Sequence, residues 1–170
     1  MGPSLYETDF YSWTARQAEA LRAGAFEQAD VANIIEEIET LGRSEESALE
    51  SHYDVLCTHL LKAIYETEKT SFSWKQSVVE SRIQIAKVLR RNPGLKSKRD
   101  SLFSEAYQDA RKHAELETGL PRSRFPEIPP FDREKAESEH YLPARLAWSR
   151  DQLGTRVEDG VAKSKGRSIT

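Results

Sequence analysis

Four histidines and a scatter of carboxylates are the side chains of this sequence best suited to chemistry, and their spacing limits what they can do. His52 and His59 stand seven positions apart. On a helix they share a face but are separated by about 10.5 Å of rise. Metal bonds of ~2.1 Å cannot bridge that gap, so at most one of the pair joins any one site. The grouping that remains is His59 with Asp109 and His113 brought in from a neighbouring helix, a donor set suited to zinc, iron or manganese. The competing reading is that each histidine is bonded to a nearby polar group at a partly buried position. That reading is preferred here, and no cofactor is expected. Glu137 and His140 make the chain's one Glu-x-x-His, whereas a di-iron bundle needs two.

Arg133 and His140, with six residues between them, resemble the Arg–His pair of small helical ribonucleases from bacterial toxin systems. Such a pair also arises by chance in a chain with 31% charged residues. A third constellation is basic: Lys75, Arg82, Lys87, Arg90 and Arg91 would form a positive face able to neutralise phosphates, with Trp74 available to stack on a base. Against it stand a pI near 5.9 and the acidic stretch from Glu27 to Glu50, which offers a partner within the chain. Nucleic acid is therefore the lesser expectation. Cys57 has no basic neighbour and lies in an apolar run, which predicts a buried thiol rather than a nucleophile. No phosphate-cradling glycine loop, nucleophile elbow or dinucleotide fingerprint is found.

The elements that must position these groups are helices. Phe10, Trp13, Ala20 and Leu21 predict a first helix over 8–23, capped by Thr8 or Asp9 and closed by Gly24. Asp30 is a plausible cap for the next, whose apolar stripe runs through Val31, Ile34, Ile35, Ile38 and Leu41. The same phase continues through Ala48, His52, Val55, Leu56, His59 and Leu60, so one helix is expected over 31–66 despite Gly42. Ser73 would cap a third helix carrying Trp74, Val78, Ile85 and Leu89, stopped by Asn92-Pro93-Gly94. A fourth is expected over 97–118, with Leu102, Phe103, Ala106, Ala110 and Ala114 inward.

Four of the seven prolines fall in 120–131, which predicts an extended strap anchored by Phe125, Ile128 and Phe131. Asp132 would then cap a short helix reaching Tyr141. Residues 144–170 read as weakly helical at Leu146, Trp148 and Leu153 and then as a mobile tail, leaving 1–143 as a single domain. The fold class expected is all-α, a bundle of four main helices.

Several segments carry a family resemblance: LYETDFYSW at 5–13, NIIEEIETLGRSE at 33–45, HLLK at 59–62, SFSW at 71–74, and ETGLP with FPEIPPF across 117–131. In order and spacing they resemble a bacterial family of unassigned role, domain-of-unknown-function family 29, over about residues 5–143. The resemblance implies an all-helical domain in bacterial cytosol and no particular reaction.

Composition narrows the classes further. No apolar run approaches the ~20 residues of a membrane span, and no basic-then-apolar leader opens the chain. One cysteine allows no internal disulfide, which fits the cytoplasm. Charge is segregated: eight acidic residues between Glu27 and Glu50 face Arg43 alone, whereas eight basic residues between Lys75 and Arg99 face only Glu80. With the aromatic cluster Tyr6, Phe10, Tyr11 and Trp13, this points to a module that binds a protein partner or a second copy of itself. The alternative is a small helical metal-dependent hydrolase or ribonuclease using the groups named above.

Overall fold

The computed structural model describes residues 4–66, 72–144 and 146. Among them the chain is all-α, and four of its six α-helices are long. We label them α1 (Leu5–Thr8), α2 (Phe10–Arg22), α3 (Val31–Tyr65), α4 (Phe72–Arg91), α5 (Arg99–Thr118) and α6 (Arg133–Glu137). Contacts group the chain into two compact units, Met1–Ser47 and Ala48–Thr170, and α3 runs through both.

In the first unit the expected helix over 8–23 starts a turn early and is divided at Asp9. Ser4 and Glu7 form a reciprocal capping box on α1, and the Asp9 carboxylate then accepts the Ser12 N–H to start α2. Asp30 caps α3 as expected, its carboxylate accepting the Asn33 N–H at 3.4 Å. α3 is unbroken through Gly42, as its phase predicts.

The second unit holds the apolar core. The carboxyl half of α3 contributes Leu49, Tyr53, Leu56, Leu60 and Leu61, which meet Val78 and Ile85 of α4 and Leu102, Phe103 and Tyr107 of α5. Ala106, Ala110 and Ala114 lie at successive turns of α5 and are buried. Small side chains there let α3 come close enough for the Thr58 hydroxyl to reach the Ala110 carbonyl at 3.5 Å. Gly119, in the left-handed region at φ 75°, ends α5 with its N–H on the Glu115 carbonyl.

The proline-rich strap packs Phe125 and Phe131 into this core. Because its backbone has no ladder partner, α5 side chains satisfy its carbonyls. Tyr107 donates to Pro126 O at 2.7 Å, Arg111 to Phe125 O at 3.1 Å, and Gln108 to Glu127 O at 3.3 Å. Asp132 caps α6, which stops at Glu137, short of Tyr141.

Several inward assignments are corrected. Ile38 and Leu41 are 62% and 69% exposed, and Val31, Ile35, Phe10 and Leu21 also face solvent. The phase of the α3 stripe is right, but α1 and α2 contact the polar side next to it, through Asp30 and Glu37. Val55 is exposed because it faces an open groove, and Ile128 is exposed because Phe125 and Phe131 already anchor the strap. α4 starts at Phe72, so Ser73 lies within the helix and does not cap it. Of the expected carboxyl-terminal stretch, Leu146 is buried in the core, and Trp148, Leu153 and the tail lie outside the described residues.

Candidate functional site

The residues singled out for chemistry are dispersed over separate contacts. His113 lies against Asp54, with Nδ1 3.0 Å from one carboxylate oxygen and 2.9 Å from the other. Asp109 is paired with Lys112 at 2.5 Å. His59 is half-buried, and its Nδ1 has no hydrogen-bond partner among the described residues. Burial lowers its pKa, the Lys62 ammonium adds to that, and Glu117 opposes it. Among the described residues, no group of three or more His, Cys, Asp or Glu is placed to hold a metal ion. The set His59, Asp109 and His113 is therefore not assembled.

Arg133 is engaged by carboxylates: Asp100 at 2.6 Å, Glu137 at 3.4 Å and Glu134 at 3.9 Å. His140 sits in the exposed turn after α6. An Arg133–His140 acid–base pair would need that guanidinium released from its carboxylates. Cys57 is fully buried, and burial pushes its thiol pKa far up, away from the thiolate.

The basic face is also smaller than its sequence suggests. Arg82 is buried, donating from Nε to Ala136 O at 2.8 Å and from a terminal nitrogen to Tyr141 O at 2.7 Å. It closes the end of α6 and its following turn, so it is removed from any phosphate-binding face. Lys87, Arg90 and Arg91 remain exposed, and Lys75 is half-buried.

Three polar contacts that spacing alone did not suggest tie the folded units together internally. Tyr6 donates to Glu37 at 2.6 Å in the first unit, where Asp30 also accepts from Trp13 and Asn33. In the second unit, Lys62 is nearly buried, paired with Glu117 and 4.7 Å from the centre of the Trp74 ring. Glu137 accepts from Tyr53 at 2.6 Å and is also paired with Arg99 and Arg133. Tyr6, Trp13, Asn33, Glu37, Lys62, Trp74 and Glu117 all belong to the unusual segments noted in the sequence. Those segments are the signal that could have found most of these contacts, and their side chains are accounted for by holding the fold.

Among the described residues, two apolar surfaces are left exposed. The first half of α3 presents Val31, Ile35, Ile38 and Leu41 to solvent, with Glu39, paired to Arg43 at 3.5 Å, along one edge. On α4, Phe72, Val79 and Ile83 are exposed at helical spacing, flanked by Lys75, Glu80 and Lys87. Phe72 and Val79 line, with Val55 and His52, an open groove of about 810 Å³. Burial lowers the His52 pKa, with Glu80 opposing. No described helix is long and apolar enough to cross a membrane.

The family model described as "Domain of unknown function DUF29" matches residues 5–142. No curated protein and no solved structure matches the chain.

Proposed function

The chain belongs to the DUF29 family, and from that premise we propose that it is a protein-interaction module of the cytoplasm that works by docking rather than by catalysis. The observation that supports this most is the exposed apolar stripe on α3: four large aliphatic side chains on one helix face, left uncovered among the described residues. Isolated exposed aliphatics are ordinary on a protein surface, but a contiguous apolar face with a polar edge is characteristic of a binding surface. A buried lone thiol, requiring no oxidation, suits a reducing compartment.

The test is capture from a lysate of the source organism on the immobilised full-length chain, with and without nuclease, beside the variant Ile38→Glu. The expected result is a protein retained by the wild type, unaffected by nuclease and lost with the variant. Retention that disappears with nuclease would move the reading to nucleic acid. Retention that ignores Ile38→Glu would take the function away from this face.

A further inference from the structure

The end of α4 and the turn after it form a surface of a different kind, and we infer that it binds the phosphate backbone of a nucleic acid. Between Glu80 and Asp100 the chain has seven Lys and Arg and no carboxylate. Folding sorts these cations. Arg82 is buried and Arg99 is paired with Glu137, whereas Lys87, Arg90, Arg91 and Lys96 are exposed, and among the described residues none of the four is in an ion pair. On α4, Lys87, Arg90 and Arg91 project within an arc of about 100°, on the side away from the buried Ile85 and Leu89. The 3-10 helix Pro93–Lys98 then turns back at once, with the Leu95 N–H on the Asn92 carbonyl at 3.0 Å, and folds against α4 and α5. Lys96 is thereby kept at the same corner.

The carboxylates closest in sequence are engaged elsewhere. Glu80 accepts from Gln84 and lies about 10 Å of helix rise from Lys87, roughly one Debye length at about 0.1 M salt. Asp100 and Glu137 are held by Arg133 and Arg99, and Glu139 acts on the buried Arg82. The low pI of the whole chain belongs to the other unit. Of the 28 Asp and Glu and 25 Lys and Arg, ten and three fall in Met1–Ser47, which leaves 18 and 22 in Ala48–Thr170. The first unit is formally −7 and the second +4. An unbroken line of phosphates is the partner that fits such a corner, since DNA carries one charge per about 1.7 Å of axis and guanidinium groups grip phosphate oxygens bidentately. A lipid surface fits less well, because Leu95, the large apolar side chain of the 3-10 helix, packs against the core instead of facing outward. Trp74 is buried with the Lys62 ammonium over its ring, so no base stacks on it. Contact is therefore to the backbone and indifferent to base sequence.

The experiment is fluorescence anisotropy of a labelled DNA duplex of about 20 base pairs, titrated with the full-length protein between about 50 and 200 mM salt. Circular dichroism confirms that each variant is helical. Four backbone contacts give a slope of log affinity against log salt of about −3.6, a loss of about 150-fold over that range. Arg90→Ala with Arg91→Ala is expected to halve the slope to about −1.8 and to weaken binding about tenfold or more at the lower salt. Lys112→Ala with Arg122→Ala removes the same charge from cations that already have carboxylate partners, Asp109 and Glu115, and is expected to leave the slope unchanged. Ile38→Glu is expected to leave it unchanged as well, because the corner and the α3 stripe are separate surfaces. Duplexes of unrelated sequence are expected to bind alike.

Absence of binding at the lower salt overturns the inference. So does a slope unmoved by Arg90→Ala with Arg91→Ala, or an equal loss in the Lys112 and Arg122 control. A glutamate polymer that binds where the duplex does not would assign the corner to an acidic protein surface. Loss of duplex binding with Ile38→Glu, and not with the arginine pair, would move nucleic acid to the α3 stripe and count against both readings.

Discussion

The Tyr6 hydroxyl donates to Glu37 Oε1 at 2.6 Å, and the bond fixes which side of α3 the amino-terminal helices lie against. Glu37 and Ile38 are consecutive, so they project about 100° apart around the helix. A contact to Glu37 therefore turns Ile38 outward. The bond to Glu37, with burial and nearby carboxylates adding to it, pushes the Tyr6 phenol up to about 12 from its ordinary 10.0. A raised phenol favours the neutral form in the fold, so its stabilisation is whole below pH 10 and is lost as pH climbs through about 12. Tyr6→Phe is expected to lower the melting temperature at neutral pH, with the gap to wild type closing in strong alkali. A gap that stays constant across that range would show that the hydroxyl adds nothing.

Glu137 gathers Tyr53, Arg99 and Arg133 at the junction of α3, α5 and α6. Glu137→Gln takes from Arg99 the carboxylate it is paired with, while Arg133 keeps Asp100, and breaking a largely buried pair in this way costs about 3 kcal/mol. Tyr53→Phe removes one hydrogen bond and costs about 1 kcal/mol. Urea midpoints of the two variants test the ordering. If Tyr53→Phe proves the more damaging, the Tyr53 hydroxyl rather than the ion pairs holds this junction.

Burial lowers the pKa of both His52 and His59 from the ordinary 6.5. The fold therefore favours the neutral rings, and their contribution is complete above pH 6.5. As pH falls below that value, the unfolded chain takes up protons that the folded chain resists, and stability declines. His59→Leu is expected to flatten this decline and also to remove the unpartnered Nδ1. Denaturant midpoints at neutral and mildly acid pH measure both effects; an unchanged slope in the variant would assign the acid sensitivity elsewhere.

Gly42 lies inside α3, in helical conformation, with nothing near the position a Cβ would take. Gly42→Ala removes a backbone-entropy penalty without a clash and is expected to stabilise that part of the helix by about 1 kcal/mol. Slower amide exchange over neighbouring residues would be the signature. Faster exchange would mean that the glycine serves a bend that the helix requires.

The sequence by itself determined the helices, because a 3.6-residue recurrence of apolar side chains is a local property. It carried α3 past Gly42, ended α5 at Gly119 and marked the strap by its prolines. It also held the family signature, in segments whose residues later pair with one another. Only the tertiary structure decided which apolar faces meet. Periodicity reports that a helix has an apolar side, but whether that side is covered depends on what another segment brings against it. Leu56 and Ile38 lie on the same stripe of the same helix: Leu56 is enclosed by α4 and α5, whereas Ile38 is left in water because Tyr6 binds the side next to it. The same holds for the charges. Arg82 and Lys87 are alike in sequence, yet carbonyls of Ala136 and Tyr141 take Arg82 into the interior and leave Lys87 at the surface. Partners 54 and 59 residues away leave no mark on local spacing.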